Sequence, residues 1–106
     1  MHIRQIGYFL ALCEELNFTR AARRCGVSQP SLTNCIRRLE RELGGQLFLR
    51  KPAVSVTPLG KALMPHLRQI VLDAEKALRI ARSLNADSHS AAEKGHLPSE
   101  NETLFT

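Results

Sequence analysis

Residues 18–43 read Phe-Thr-Arg-Ala-Ala-Arg-Arg-Cys-Gly-Val-Ser-Gln-Pro-Ser-Leu-Thr-Asn-Cys-Ile-Arg-Arg-Leu-Glu-Arg-Glu-Leu, and this stretch decides the fold. It divides at Gly26, a residue that adopts a left-handed backbone without steric penalty and so ends helices. Ahead of the glycine, Thr19 is placed to cap a short helix over about 19–25, and the small pair Ala21-Ala22 allows a neighbouring helix to approach closely. Beyond it, Val27 is a candidate core plug and Ser28 an N-cap. Pro30 falls in the first turn of the next helix, where a missing N–H loses no partner. Leu32, Ile36, Leu39 and Leu43 then recur at steps of four, three and four, an apolar stripe along a helix over about 29–43. The opposite face carries Pro30, Thr33, Asn34, Arg37 and Arg41, and Gly44-Gly45 closes the helix. Two helices about a glycine turn, the second apolar on one side and arginine-rich on the other, are the layout of a helix-turn-helix, whose second helix enters the major groove of DNA. The stripe alone would favour an amphipathic helix with a solvated basic face; turn, cap and basic face together favour DNA.

Upstream, Ile3, Ile6, Phe9, Leu10, Cys13 and Leu16 keep helical period, which predicts a first helix over about 3–16 with Asn17 as its stop. Downstream, Leu47-Phe48-Leu49 and Val54-Ser55-Val56 read as two short strands around Arg50-Lys51-Pro52-Ala53, a hairpin in the position of a wing. Thr57 and Pro58 then open a long helix as cap and first helical residue. Its apolar residues Leu63, Leu67, Ile70, Ala74, Ala77, Ala81 and Leu84, with Leu78 beside Ala77, alternate steps of three and four after the first. This heptad seam is longer than one small domain covers and predicts a homodimer through residues 58–84. Pro65 is expected to bend the helix near Lys61. Residues 85–106 are polar, acidic and rich in helix breakers, the composition of a disordered tail. The expected fold class is mostly α. A winged helix-turn-helix over residues 1–57, with a three-helix core and small β-hairpin wing, is followed by a dimerisation helix over 58–84 and the tail.

The charge follows this division. Residues 1–57 hold nine Lys/Arg against four acids, 58–84 five against two, and 85–106 one against four, so the excess of the 106-residue chain (net +5) lies on the predicted DNA-binding unit and the helix beside it. That polarity suits a polyanion rather than an acidic small molecule. Cys13, Cys25 and Cys35 are twelve and ten residues apart, which matches no zinc-ligand spacing, and each falls on or beside an apolar face, so free thiols in a reducing compartment are expected. His2, His66, His89 and His96 form no cluster with cysteines or acids; neither a metal nor another cofactor is expected. The apolar run Tyr8–Leu12 is too short to span a membrane and lacks a signal-cleavage pattern, which places the protein in the cytoplasm. With no serine–histidine–acid set, phosphate-cradling glycine loop or convergent carboxylates, an enzyme is not expected.

The segments Phe18-Thr-Arg-Ala-Ala, Val27-Ser-Gln-Pro-Ser-Leu, Ile36-Arg-Arg-Leu-Glu, Glu42-Leu-Gly-Gly, Leu47-Phe48 with Arg50, and Thr57-Pro58-Leu59-Gly60 resemble the N-terminal DNA-binding domain of LysR-type transcriptional regulators. The resemblance runs from the first residue to about Leu84, and its specificity lies in the order and separation of the segments. It implies a bacterial, nucleoid-associated transcriptional regulator that binds double-stranded DNA sequence-specifically, two copies reading half-sites about one helical turn apart. Ser28 and Gln29, at the dipole-positive end of the recognition helix, are expected on a phosphate or base edge. Pro30 and Ser31 are expected at a thymine methyl, and Thr33, Asn34 and Arg37 on bases one turn along. Thr19, Arg20, Arg50 and Lys51 are expected phosphate contacts. Two departures bear on this: Asn34 stands where much of the family has arginine, and the connection at Lys51-Pro52-Ala53 is one residue shorter than is common. The family normally continues into a longer effector-binding domain, which these residues lack, so no small-molecule effector is expected. The alternative is an interaction module that heterodimerises with a full-length relative and blocks its function.

Overall fold

The computed structural model describes residues 1–87. Helix α1 (Ile3–Glu15), α2 (Phe18–Cys25) and α3 (Gln29–Leu43) are followed by strands β1 (Phe48–Leu49) and β2 (Ser55–Val56) and by the long helix α4 (Pro58–Asp87). The strands pair antiparallel, Phe48 opposite Val56 and Leu49 opposite Ser55. The mostly α, winged helix-turn-helix class expected from the sequence is the one observed.

The apolar stripes of the three short helices converge on one core. Phe9 and Leu12 of α1, Leu32, Ile36 and Leu39 of α3, and Leu47 and Phe48 at the hairpin are wholly buried. The Phe9 and Phe48 rings meet at 5.6 Å between centroids, tilted by 55°, which ties the hairpin to α1. Each such side chain contributes about 1.5–3 kcal/mol through burial. Ala21 and Ala22 are buried as well, and their small size allows α2 to cross close to its neighbours.

Helix ends follow capping chemistry, with one difference from the sequence reading. Helix α1 stops at Leu16, whose φ of 49° is left-handed and whose N–H reaches the Leu12 carbonyl. Asn17, expected as that stop, instead caps α2: its Oδ1 accepts from the Arg20 N–H at 2.8 Å. Thr19 is therefore not the cap. It lies in the first helical turn with its side chain exposed, because α2 begins one residue earlier than expected. Gly26 ends α2 at φ 73°, and Gly44 ends α3 at φ 83°.

The root of α4 is stitched to the hairpin. Thr57 donates its hydroxyl to the Gln46 carbonyl at 2.7 Å and accepts from the Gly60 N–H at 3.0 Å, while its own N–H reaches the Leu47 carbonyl at 2.9 Å. From there α4 continues through Pro65 to Asp87, past the expected boundary at residue 84; the tail expected over the remaining residues lies outside those described. The expected dimer seam divides in two along this helix. Leu67 is 4% exposed and belongs to the protein's own core, and Leu63, Met64 and Val71 pack against that core. Leu63 and Leu67 are thus corrected from partner contacts to intrachain packing, since this turn of α4 faces α1. Farther along, Ile70, Leu78 and Leu84 are exposed, as are Ala77 and Ala81, with Ala74 half-buried.

Candidate nucleic-acid interface

Burial on one side of α3 forces its remaining residues outward. With Leu32, Ile36 and Leu39 in the core, Gln29, Pro30, Ser31, Asn34, Arg37 and Arg41 are exposed. Neither Arg37 nor Arg41 forms an ion pair among the described residues, so α3 presents uncompensated positive charge beside an amide that can both donate and accept. That combination can neutralise phosphates and read base edges.

The helix N-terminus is less open than expected. Ser28 Oγ accepts from the Ser31 N–H at 3.2 Å and donates to Ser31 Oγ at 2.9 Å. Pro30 has no N–H, which leaves that of Gln29 as the outward donor of the first turn. Ser28 and Ser31 thus spend hydroxyl capacity on the cap, and the polar reach of this end rests on Gln29.

Thr33 also differs from its expected role. It is half-buried, and its Oγ1 is occluded without a hydrogen-bond partner. An unsatisfied buried hydroxyl is destabilising, so Thr33→Val is expected to raise stability by about 1 kcal/mol. A higher thermal midpoint checks this; a lower one would show that the hydroxyl is satisfied in solution.

The flanking cations divide by how far they are engaged. Thr19 and Arg20 stand exposed at the start of α2, with Arg20 leaning back so that Nε lies 3.4 Å from Glu15 Oε1. Arg24 bridges Glu14 at 2.6 Å and Glu15 at 3.3 Å, joining α2 to α1. On the hairpin, Lys51 is exposed and precedes a cis Lys51–Pro52 peptide. Arg50 is turned inward: it lies 3.3 Å from the buried Glu40 carboxylate, donates to the Phe48 carbonyl at 3.0 Å, and covers the Phe18 ring at 5.3 Å. Arg50, expected on a phosphate, is in this geometry engaged within the protein instead, with a quarter of its side chain exposed. Sequence reading missed Glu40. The available signal was an acid placed directly after Leu39 of the apolar stripe and ten residues before an arginine.

The three cysteines are free and half-buried. Burial pushes the Cys13 thiol up to about 11 against the opposing pull of Arg68, and burial also raises Cys25 and Cys35. All three are thus protonated and weakly nucleophilic near neutral pH. Among the described residues, no helix is long and apolar enough to cross a membrane.

Residues 3–61 match the family described as bacterial regulatory helix-turn-helix protein, lysR family. The chain belongs to the LysR family. Among LysR relatives, it is 47% identical over 78 residues to the HTH-type transcriptional regulator ShiR of Corynebacterium glutamicum, a match covering 73% of this chain and 26% of ShiR. It is 44% identical over 92 residues to the HTH-type transcriptional regulator BudR of Klebsiella aerogenes, covering 82% of this chain and 64% of BudR. The chain thus spans about a quarter of ShiR and under two thirds of BudR. Its fold is similar to that of the BenM DNA-binding domain in complex with catB site 1 DNA, at a TM-score of 0.78 and 30% identity over 87% of this chain and all of that one. The helix-turn-helix described above is the DNA-binding domain of the LysR family.

Proposed function

We propose that this protein is a bacterial transcriptional regulator that acts in the cytoplasm on chromosomal DNA, without enzymatic activity, with α3 in the major groove and the hairpin on the backbone. The observation that carries this reading is the outward face of α3, where exposed Gln29 and Asn34 stand beside Arg37 and Arg41, which form no ion pair among the described residues. Gln29 and Asn34 read base edges, Arg37 a base or phosphate, and Pro30 and Ser31 approach a thymine methyl. Thr19, Arg20 and Lys51 hold the flanking phosphates. Two copies join along the outer part of α4, through Ile70, Ala74, Ala77, Leu78, Ala81 and Leu84, and read an interrupted inverted repeat.

Selection from randomised duplex DNA with the purified chain, at near-physiological salt, tests the proposal. Recovery of an inverted repeat supports it; patternless, salt-sensitive recovery defeats sequence reading by this chain. At the recovered site, Gln29→Ala or Asn34→Ala is expected to cost about 1–3 kcal/mol of discrimination at one base position, with binding to random DNA preserved. Equal losses on specific and random DNA would assign these residues to the backbone instead.

A further inference from the structure

Glu40 is 8% exposed, and its Oε2 accepts the N–H groups of Leu47 at 2.8 Å and Phe48 at 3.3 Å, where the chain turns from α3 into β1. A carboxylate buried this deeply needs a cation, and Arg50 supplies it through Nη2 to Oε1 at 3.3 Å and Nη1 to Oε2 at 3.5 Å. The same guanidinium donates to the Phe48 carbonyl at 3.0 Å and places Cζ over the Phe18 ring, 5.3 Å from its centroid. Phe18 is the first residue of α2 and immediately precedes Thr19 and Arg20. One planar group therefore touches α3, the hairpin and α2, the three elements that face DNA in the function proposed above. We infer that Arg50 is a positioning residue for DNA reading, which with Glu40 and Phe18 fixes the hairpin and the start of α2 against the recognition helix.

The chemistry explains why arginine is needed. A guanidinium can fork onto a carboxylate in its plane while an aromatic ring covers its face; a lysine ammonium is a single point charge and cannot hold both. Residues 47–57 contain two cations, Arg50 and Lys51. With Arg50 committed to Glu40, Lys51 is the hairpin cation left for phosphate.

The inference rests on the DNA-reading function, and Arg50→Lys with Glu40→Gln separates it from a phosphate contact. Both variants are assayed on the selected duplex and on random DNA across a salt series, beside Lys51→Ala and the unaltered protein. A phosphate-binding Arg50 would let Arg50→Lys bind almost normally and would let Glu40→Gln bind more tightly, because the arginine is released. The clamp predicts the reverse. Each variant loses roughly tenfold on the selected site, the scale of one lost specific contact, while its salt slope stays unchanged. The double variant is no weaker than either single one, because both remove the same unit. Lys51→Ala, in contrast, lowers the slope by about one unit. Unaltered binding by Arg50→Lys, or tighter binding by Glu40→Gln, overturns the inference. So does loss of the folded state in both variants, which would make the clamp a requirement of the fold alone. Failure of the unaltered protein to prefer any site would instead defeat the proposed function, and the positioning role with it.

Discussion

Gly60→Ala is expected to lower the thermal midpoint by roughly 4–24 °C, although the substitution adds one methyl group to a helix. A Cβ at Gly60 would lie 2.6 Å from the Leu47 carbonyl oxygen and 2.7 Å from Val56 Cγ1. The first obstacle is backbone, and it is pinned, because that oxygen already accepts the Thr57 N–H at 2.9 Å. Relief requires α4 to move off the hairpin and loosen the Thr57 bonds to Gln46 and Gly60. Overpacking of this kind costs about 1–3 kcal/mol, a large share of the roughly 5–10 kcal/mol that stabilises a domain of this size. Each kcal/mol shifts the midpoint of so small a domain by about 4–8 °C. Gly45→Ala is the matched control: its Cβ would meet only Leu59 Cδ2, at 2.9 Å, the far end of a side chain that can rotate away. Melting curves followed by circular dichroism compare the two. A Gly60→Ala midpoint within two or so degrees of the unaltered protein would show that α4 slides on the hairpin without loss.

Leu67→Asp and Leu78→Asp are expected to fail in different ways despite lying eleven residues apart on one helix. Leu67 is 4% exposed among α1 and core side chains, and a carboxylate there has no partner and no water, a penalty of several kcal/mol that unfolds the domain. Leu78 is 52% exposed, so aspartate there leaves the fold intact and disrupts association along α4. Circular dichroism with sedimentation equilibrium distinguishes these outcomes: no folded protein for Leu67→Asp, and a folded monomer for Leu78→Asp. A folded but dissociated Leu67→Asp would move that residue back to the partner interface. An unchanged assembly in Leu78→Asp would reject the outer stripe as the seam.

These two leucines also mark how far the sequence could be read. Apolar residues at helical spacing mark one side of a helix, but not how much of that side its own domain covers; Leu67 and Leu78 both belong to the apolar side of α4, yet one is buried in the core and the other is exposed. Local chemistry was more legible. Gly26, Ser28 and Pro30 act within a few residues of themselves, and α2 ends and α3 begins at the residues their roles imply. Asn17 and Thr19 are both good cap residues two positions apart, and only the observed backbone, left-handed at Leu16, decides between them. The Glu40–Arg50 pair was hidden for another reason. In sequence, an arginine in a basic wing looks the same whether it faces solvent or a buried carboxylate, and that choice depends on where the chain turns after Gly44. The outward side of α3 was readable in kind, since residues excluded from an apolar stripe must face away from it; the occlusion of the Thr33 hydroxyl was not.

The Thr57 stitching and the close approach at Gly60 leave no slack between the hairpin and the helix that leads away from it. A thirty-residue helix is ~45 Å long, so a tilt of about 5° at its root would carry its far end roughly 4 Å sideways. Anchored this firmly, α4 takes its aim from its base. In the dimer proposed above, the separation and rotation of the two reading heads would be set by the protein, as by a ruler laid along the double helix.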